Sequence, residues 1–385
     1  MKSKNYYDFY LLAIIIMLMI ISIISIYSAQ KILPYNSNFA MQQAIWYVIG
    51  FIITSIIYYF DFEQIKKISP YLYIFGILLL IILFIAPSSI APNIKGTKAW
   101  FVLPKIGSLQ PAEFMKVFLI IFLAKISVDH NNKTINKTTK TDLILVLKIL
   151  GITSIPLLFI LLQPDAGTAM VIITIMFGII VASGVNWKIL ISFFSIVLLG
   201  IGTLIIIYIY TPNTLLLFLS QYQLDRIHSW LDPFQFRQGI GYQLTQSILA
   251  IGSGTTYGKG FFKSQVDVPE SHSDFIFSVI AEEYGFLGAS LVISLYFLLI
   301  YRIVVIVLVN KGEYESIIAS GVIAMLTFHI FENVGMVTGL VPITGIPLPL
   351  LSYGGSSILG TLLALTLILN ISAKTKHYLF GENSK

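Results

Sequence analysis

Cysteine is absent from the 385 residues, which excludes disulfides and thiolate metal sites outright. Charge is scarce too: 11% of the residues are Asp, Glu, Lys or Arg, 57% are hydrophobic, and mean hydropathy is +0.87. A soluble domain carries about 25% charged residues, so this composition excludes one. The positive balance of +6 forms no basic stripe. Its cations are scattered at the ends of apolar runs and in loops, which argues against a nucleic-acid partner and for membrane orientation. No A-x-A cleavage pattern follows the first apolar run, Phe9 to Ser28, so that run reads as a retained span and not a signal peptide.

What is present is a succession of apolar runs approaching or exceeding the ~20 residues that a helix needs to cross hydrocarbon. Polar breaks divide them into about ten spans, near 8–28, 41–60, 71–89, 112–128, 142–162, 168–184, 188–211, 275–308 (longer than one crossing), 316–337 and 351–372. The expected fold is an all-α polytopic integral membrane protein, a single transmembrane domain over 1–385. An even number of spans puts both termini on one side, together with Lys66, Lys67, Lys133, Lys137, Lys140 and Lys311, and the positive-inside rule makes that side cytoplasmic. Lys31, Lys95, Lys98 and Lys105 fall in outer loops and weaken the bias without reversing it.

The longest stretch outside the spans, 212–274, is then an extracytoplasmic loop between spans seven and eight. Loops of this length are usually functional or disordered, and this one lacks a disordered composition. "YQLTQSILAIGSG" has apolar residues at helical spacing and "RIHSWLDPF" mixes aromatics with both charges, so short helices against the outer face are expected. The cluster "GSGTTYGKG" is no Walker A, since Ser253 and Gly260 stand where glycine and a hydroxyl are required. Turns are the simple reading, while backbone amides and Lys259 remain candidates for a diphosphate.

Other outer segments break the apolar pattern. In "QPAEFMK", Glu113 and Lys116 stand at i, i+3 and can pair, either as a structural ion pair or at an entrance. In "QPDAGT", Asp165 precedes a span and suits an N-cap. "VPITGIPLPLLSYGGSS", residues 341–357, sets prolines and glycines at membrane depth, tolerated only where broken backbone is buried in protein or lines a watery cavity. "VPESHSDFIF", residues 268–277, crowds Glu270, His272 and Asp274 just where the chain re-enters the membrane, with Glu282 and Glu283 close behind.

These stretches, in this order and spacing, resemble the RodA/FtsW (SEDS) family of cell-wall polymerases over nearly the whole chain. The short linker between "GKG" and "VPE" and the lack of an extended N-terminal tail look most like RodA. "QPAE", "SHSD" and Glu332 in "FHIFENVGM" depart from the expected pattern; for Glu332, His329 one turn earlier is the expected partner in a structural pair.

The resemblance implies an inverting glycosyltransferase that polymerises lipid II into glycan strands at the outer face of the bacterial cytoplasmic membrane, for cell elongation and shape. Asp274, matching the family motif, is the expected general base. Glu270 and His272 line the same pocket; Arg226, Lys259 and Lys116 are candidates for the diphosphate or glycan, with Glu113 beside Lys116. Trp100 offers a face for a sugar ring or prenyl chain, or is a residue of the interfacial aromatic belt. Transglycosylation needs a base for the acceptor hydroxyl and a cation for the leaving diphosphate, which fits these residue types. No tightly bound cofactor is expected; a Mg²⁺ or Mn²⁺ shared with the diphosphate suits the chemistry better than a protein-built site. Implied partners are lipid II, the nascent glycan strand, a class B penicillin-binding protein and the elongation complex. A lipid II flippase and a non-catalytic scaffold are the alternatives.

Overall fold

A computed structural model describes residues 8–31, 38–94, 96–103, 107–134, 136–211, 221–310 and 312–381. Lys95, Lys105, Lys311 and residues 212–220 of the long loop lie outside them. In chain order the elements are α1 Phe9–Ala29, α2 Phe39–Tyr58, α3 Phe62–Ile85, the antiparallel strands β1 Phe101–Leu103 and β2 Gly107–Leu109, α4 Pro111–Lys133, α5 Thr139–Leu162, α6 Ala166–Ala182 and α7 Trp187–Tyr210. They continue with α8 Gln221–Leu231, α9 Tyr242–Ser253, α10 Ile276–Val309, α11 Glu313–Thr338 and α12 Gly355–Gly381. Helices α1–α7 and α10–α12 occupy the ten expected spans, and α8 and α9 are the short helices expected in the outer loop.

Two boundaries differ from the sequence reading. Helix α3 begins at Phe62 and not near 71, because Asp61 and Gln64 form a capping box that starts the helix through charged residues and carries it past Pro70. Helix α12 begins at Gly355, because the proline-rich residues before it stay irregular.

Among the described residues, eight helices are long and apolar enough to cross a bilayer: α1, α2, α3, α5, α7, α10, α11 and α12. Of the other two expected spans, α6 has only 17 residues and α4 carries Glu113, Lys116, Lys125, Asp129 and Lys133. Both pack among other helices, where protein replaces lipid as the surroundings, so length and apolarity are less constrained there. The opposite case is α7, which buries none of its residues and presents apolar side chains on every side.

Helix α10 would run about 51 Å at 1.5 Å per residue, well beyond the ~30 Å of hydrocarbon. Gly285, at φ 64 and ψ −159, breaks it, leaving a short buried piece before the break and a full span after it. The break is clasped by the glycine cluster. Lys259 N donates to Glu282 O (3.0 Å), Gly260 N to Glu283 O (2.9 Å) and Phe286 N to Thr255 O (2.9 Å). A Cβ on Gly258 would lie 2.1 Å from Glu283 O, and one on Gly285 2.4 Å from Gly258 N, so both positions require glycine.

Polar contacts sort the helix ends onto two faces. On one face Asp8, the N-cap of α1, receives Arg302 of α10 through Nε (3.0 Å) and Nη2 (2.7 Å) and the Ser372 hydroxyl of α12 (3.4 Å). Lys66 of α3 pairs with Asp129 of α4 (2.7 Å), and Asn370 of α12 donates to Phe60 O (2.8 Å). Both ends of the described chain therefore share a face with Lys66, Lys67, Lys133, Lys137 and Lys140. The loops bearing the candidate functional residues lie on the other.

Candidate active site

The segment Val341–Tyr353 joins α11 to α12 without regular structure, so its carbonyls need partners from elsewhere. They find them in side chains. Tyr296 Oη donates to Pro349 O, Tyr47 Oη to Leu350 O (2.7 Å), Ser22 Oγ to Leu351 O (2.8 Å) and Gln43 Nε2 to Ser352 O (3.0 Å). Of the two settings that tolerate broken backbone at this depth, burial in protein is what Leu348–Ser352 adopts. Thr344, Gly345 and Pro347 remain half-exposed.

The "SHSD" turn is sewn to this segment and to α11. Its geometry starts at Glu270, in the left-handed region at φ 57, whose carbonyl accepts from Ser273 N (2.9 Å). Tyr353 N then donates to His272 O (2.9 Å), Ser352 Oγ to Ser273 O (2.7 Å) and Asn333 Nδ2 to Asp274 O (2.7 Å). Asn333 also donates to Ile346 O (2.8 Å), so one buried amide ties Asp274, just before the N-cap of α10, to the proline-rich segment. The half-buried Asp274 turns its carboxylate toward Gly345: Oδ2 lies 3.4 Å from where a Cβ would stand, and Gly345 has φ +75. The backbone of Asp274 is thus fixed while its side chain borders the half-exposed Thr344–Gly345 step.

Other expected residues reach the same segment. Arg226, on α8, donates through Nη1 to Ile343 O (2.7 Å), and Trp230 one turn on donates to Gly339 O (2.9 Å), laying α8 across it. Glu113 and Lys116 pair as their spacing predicts, at 2.9 Å, but are only 4% and 2% exposed. Lys116 Nζ also lies 2.9 Å from His329 Nε2, and His329 Nδ1 3.2 Å from Pro347 O. Since a carbonyl only accepts, the arrangement assigns the proton to Nδ1 and leaves Nε2 to accept from the ammonium. The expected His329–Glu332 pair is therefore corrected: the imidazole is committed to Lys116 and to Pro347 O. Glu113 and Lys116 act on the segment through His329 and are screened from direct contact with a ligand by their burial.

The remaining expected residues are placed elsewhere or held by protein. The His272 ring stacks on Phe39 at 4.4 Å and lies 5.6 Å from Tyr353. Lys259, a candidate for diphosphate, is held at 2.6 Å by Glu282, which also accepts from Ser264 Oγ, Gln265 N (2.9 Å) and Val266 N (3.2 Å). This removes the reason to treat Lys259 as an open phosphate ligand and leaves the glycine cluster its structural role. Trp100 is half-buried at the head of the β1–β2 hairpin, which joins α12 where Gln110 N donates to Ser356 Oγ (2.9 Å). Asp165 is the N-cap of α6, accepting from Thr168 N (3.0 Å), and also receives Gln110 Nε2 (3.0 Å). Among the described residues no three carboxylate or imidazole groups gather closely enough to hold a metal ion.

Sequence reasoning missed Asn333, the hinge of the site. Its signal was an amide inside an apolar helix, directly after the carboxyl that drew attention instead.

Comparison with known proteins covers nearly the full chain. Residues 5–377 match the family of FtsW, RodA and SpoVE, described as cell cycle proteins. Stage V sporulation protein E of Bacillus subtilis is 32% identical, covering 97% of this chain and 99% of the relative. A probable peptidoglycan glycosyltransferase FtsW of Trichlorobacter lovleyi is also 32% identical, covering 96% and 94%. A chain of a solved peptidoglycan synthase complex that coordinates polymerization and crosslinking superposes with TM-score 0.77 at 26% identity, covering 96% of this chain and 98% of that one. The rod shape determining protein RodA of Thermus thermophilus superposes at 0.68 and 25% identity, covering 96% and 97%. Sporulation and FtsW names among the relatives and RodA among the structures do not single out one branch, so the expected lean toward RodA is not decided by them. The family match spans nearly the whole chain, and this protein belongs to it: it is a multi-pass membrane member of the FtsW/RodA/SpoVE family.

Proposed function

We propose that the protein is a peptidoglycan glycosyltransferase that polymerises lipid II, with Asp274 as general base. The observation that carries this reading is the setting of Asp274: a half-exposed carboxylate on a fixed backbone, against Gly345, in the segment Ile343–Pro347 that Arg226 also touches. Relatives named peptidoglycan glycosyltransferase and the likeness to a peptidoglycan synthase complex support the same class. The lysine-bearing face is assigned to the cytoplasm by the positive-inside rule, which puts both termini there and Asp274 at the outer face.

In the proposed step, Asp274 takes the proton of the acceptor sugar hydroxyl as that oxygen attacks the anomeric carbon of the donor. The bond from that carbon to the diphosphate breaks, its electron pair leaving with the lipid-linked diphosphate, and configuration inverts. Arg226 is assigned to the departing diphosphate, where a guanidinium offers fixed donors. Lipid anchors confine both substrates to the head-group plane, and a base where the chain re-enters the membrane meets the hydroxyl without extracting a prenyl chain. A Mg²⁺ or Mn²⁺, if used, takes most of its ligands from phosphate and water, since the described residues offer no cage of donors.

The likeness to a complex that couples polymerization to crosslinking supports a transpeptidase partner, a class B penicillin-binding protein. Its membrane helix is assigned to the lipid-facing side of α10 and α11, where Phe297, Tyr301 and Phe331 are exposed. The test of the enzyme is direct: purified protein given lipid II alone makes glycan, and Asp274→Asn, which folds normally, loses about 10²–10⁴-fold of that rate. Near-wild-type synthesis by the Asn variant overturns the mechanism, and no synthesis by wild type favours the flippase or scaffold.

A further inference from the structure

Broken backbone at membrane depth needs a partner for each polar group. Along the irregular segment the protein supplies partners to nearly every carbonyl: Arg226 donates to Ile343 O (2.7 Å), Asn333 to Ile346 O (2.8 Å) and His329 to Pro347 O (3.2 Å). The carbonyls from Leu348 to Ser352 are all held in the same way. Among the described residues, the run is interrupted at Thr344 and Gly345, whose backbone N–H and C=O groups have no hydrogen-bond partner. Thr344 O is covered by α6, where a Cβ on Gly167 would stand 3.2 Å from it. Gly345 is left with both groups open.

This gap lies beside the proposed base. Gly345 is half-exposed, and Asp274 Oδ2 is 3.4 Å from where its Cβ would stand, so any side chain at 345 would fill the space next to the carboxylate. The open N–H is also held in place, because Arg226 and Asn333 fix the residues on either side of the Thr344–Gly345 step. An unpaired donor next to a carboxylate suits a neutral acceptor, since a phosphate oxygen there would be repelled by the like charge. The sugars of lipid II carry such an acceptor in the acetamido carbonyl, on the same ring as the accepting hydroxyl. We propose that the backbone N–H of Gly345 binds the acetamido carbonyl of the acceptor sugar and so presents that sugar's hydroxyl to Asp274. The proposal rests on Asp274 being the general base of lipid II polymerisation.

The experiment uses the whole chain in detergent, a labelled lipid II donor whose own accepting hydroxyl is blocked, and two acceptors. One acceptor is lipid II; the other is an analogue with a hydroxyl in place of the acetamido group on the accepting ring. Wild type is expected to lose about 10-fold in kcat/KM with the analogue, the effect of one hydrogen bond. A variant in which the amide of Gly345 is replaced by an ester, exchanging N–H for O, is expected to lose the same factor with lipid II and nothing further with the analogue. Because no protein group pairs with that N–H, the ester leaves the thermal unfolding midpoint unchanged. A lowered midpoint, or failure to fold, shows that the N–H is needed within the protein and overturns the proposal. Equal kcat/KM of wild type for the two acceptors overturns it as well, as does an ester variant that uses lipid II like wild type or whose loss multiplies with that of the analogue. In each of these cases Asp274→Asn still reports on the base by itself. Absence of glycan from wild type overturns the polymerase reading and this proposal with it.

Discussion

Replacing Lys116 by Met tests whether the buried charges of α4 are a unit. The ammonium stands 2.9 Å from Glu113 and 2.9 Å from His329, and both acidic and basic side chains are almost fully enclosed. At an effective dielectric of ~20, unit charges at that separation attract by about 6 kcal/mol, an amount largely spent on taking both out of water. The net worth of the pair is therefore small, while the cost of breaking it is large. Lys116→Met leaves the Glu113 carboxylate buried without its cation, at about 3–5 kcal/mol. Glu113→Gln costs less, because an amide oxygen can still accept from Lys116 and His329 remains an acceptor. The double variant Glu113→Gln/Lys116→Met removes both charges and should recover much of what Lys116→Met loses. The assay is thermal unfolding in detergent, followed by size-exclusion chromatography, with midpoints expected to fall by roughly 5 °C or more for Lys116→Met. Glycan synthesis should follow the same order, since His329 passes the arrangement on to Pro347. A double variant as unstable as the sum of the singles would refute the reasoning, because charges that do not compensate each other cannot show coupling.

Two further outcomes separate structural from substrate-binding roles. Lys259→Met should lower the melting midpoint less than Lys116→Met, because Glu282 keeps Ser264, Gln265 N and Val266 N as donors, and should leave KM for lipid II within about 2-fold; a large rise in KM would return Lys259 to the diphosphate. Gly285→Ala should fail to give folded protein in detergent, because a Cβ there would stand 2.4 Å from Gly258 N at φ 64; a stable, active Ala variant would show that the clasp is not needed.

The sequence by itself determined the membrane class, the positions of the ten long helices and the face shared by the described chain ends and the lysine-bearing loops. These follow from local quantities: length of apolar run, spacing of polar breaks and the placement of lysines. It also determined pairings that need only helical spacing, such as Glu113 with Lys116, and the N-cap at Asp165. Tertiary structure decided what depends on packing between distant segments. His329 lies one turn from Glu332 along α11, and spacing alone favours that pair, yet α4 brings Lys116 to the imidazole and the irregular segment brings Pro347 O to its other nitrogen. Lys259 reads as an open cation beside glycines until the break at Gly285 folds Glu282 onto it. The site itself forms because residues far apart in sequence, Arg226, Asp274 and Asn333, meet one stretch of backbone that cannot satisfy itself. No local pattern in the sequence encodes which side chains supply the missing partners; the unpaired carbonyls and the low dielectric around them do.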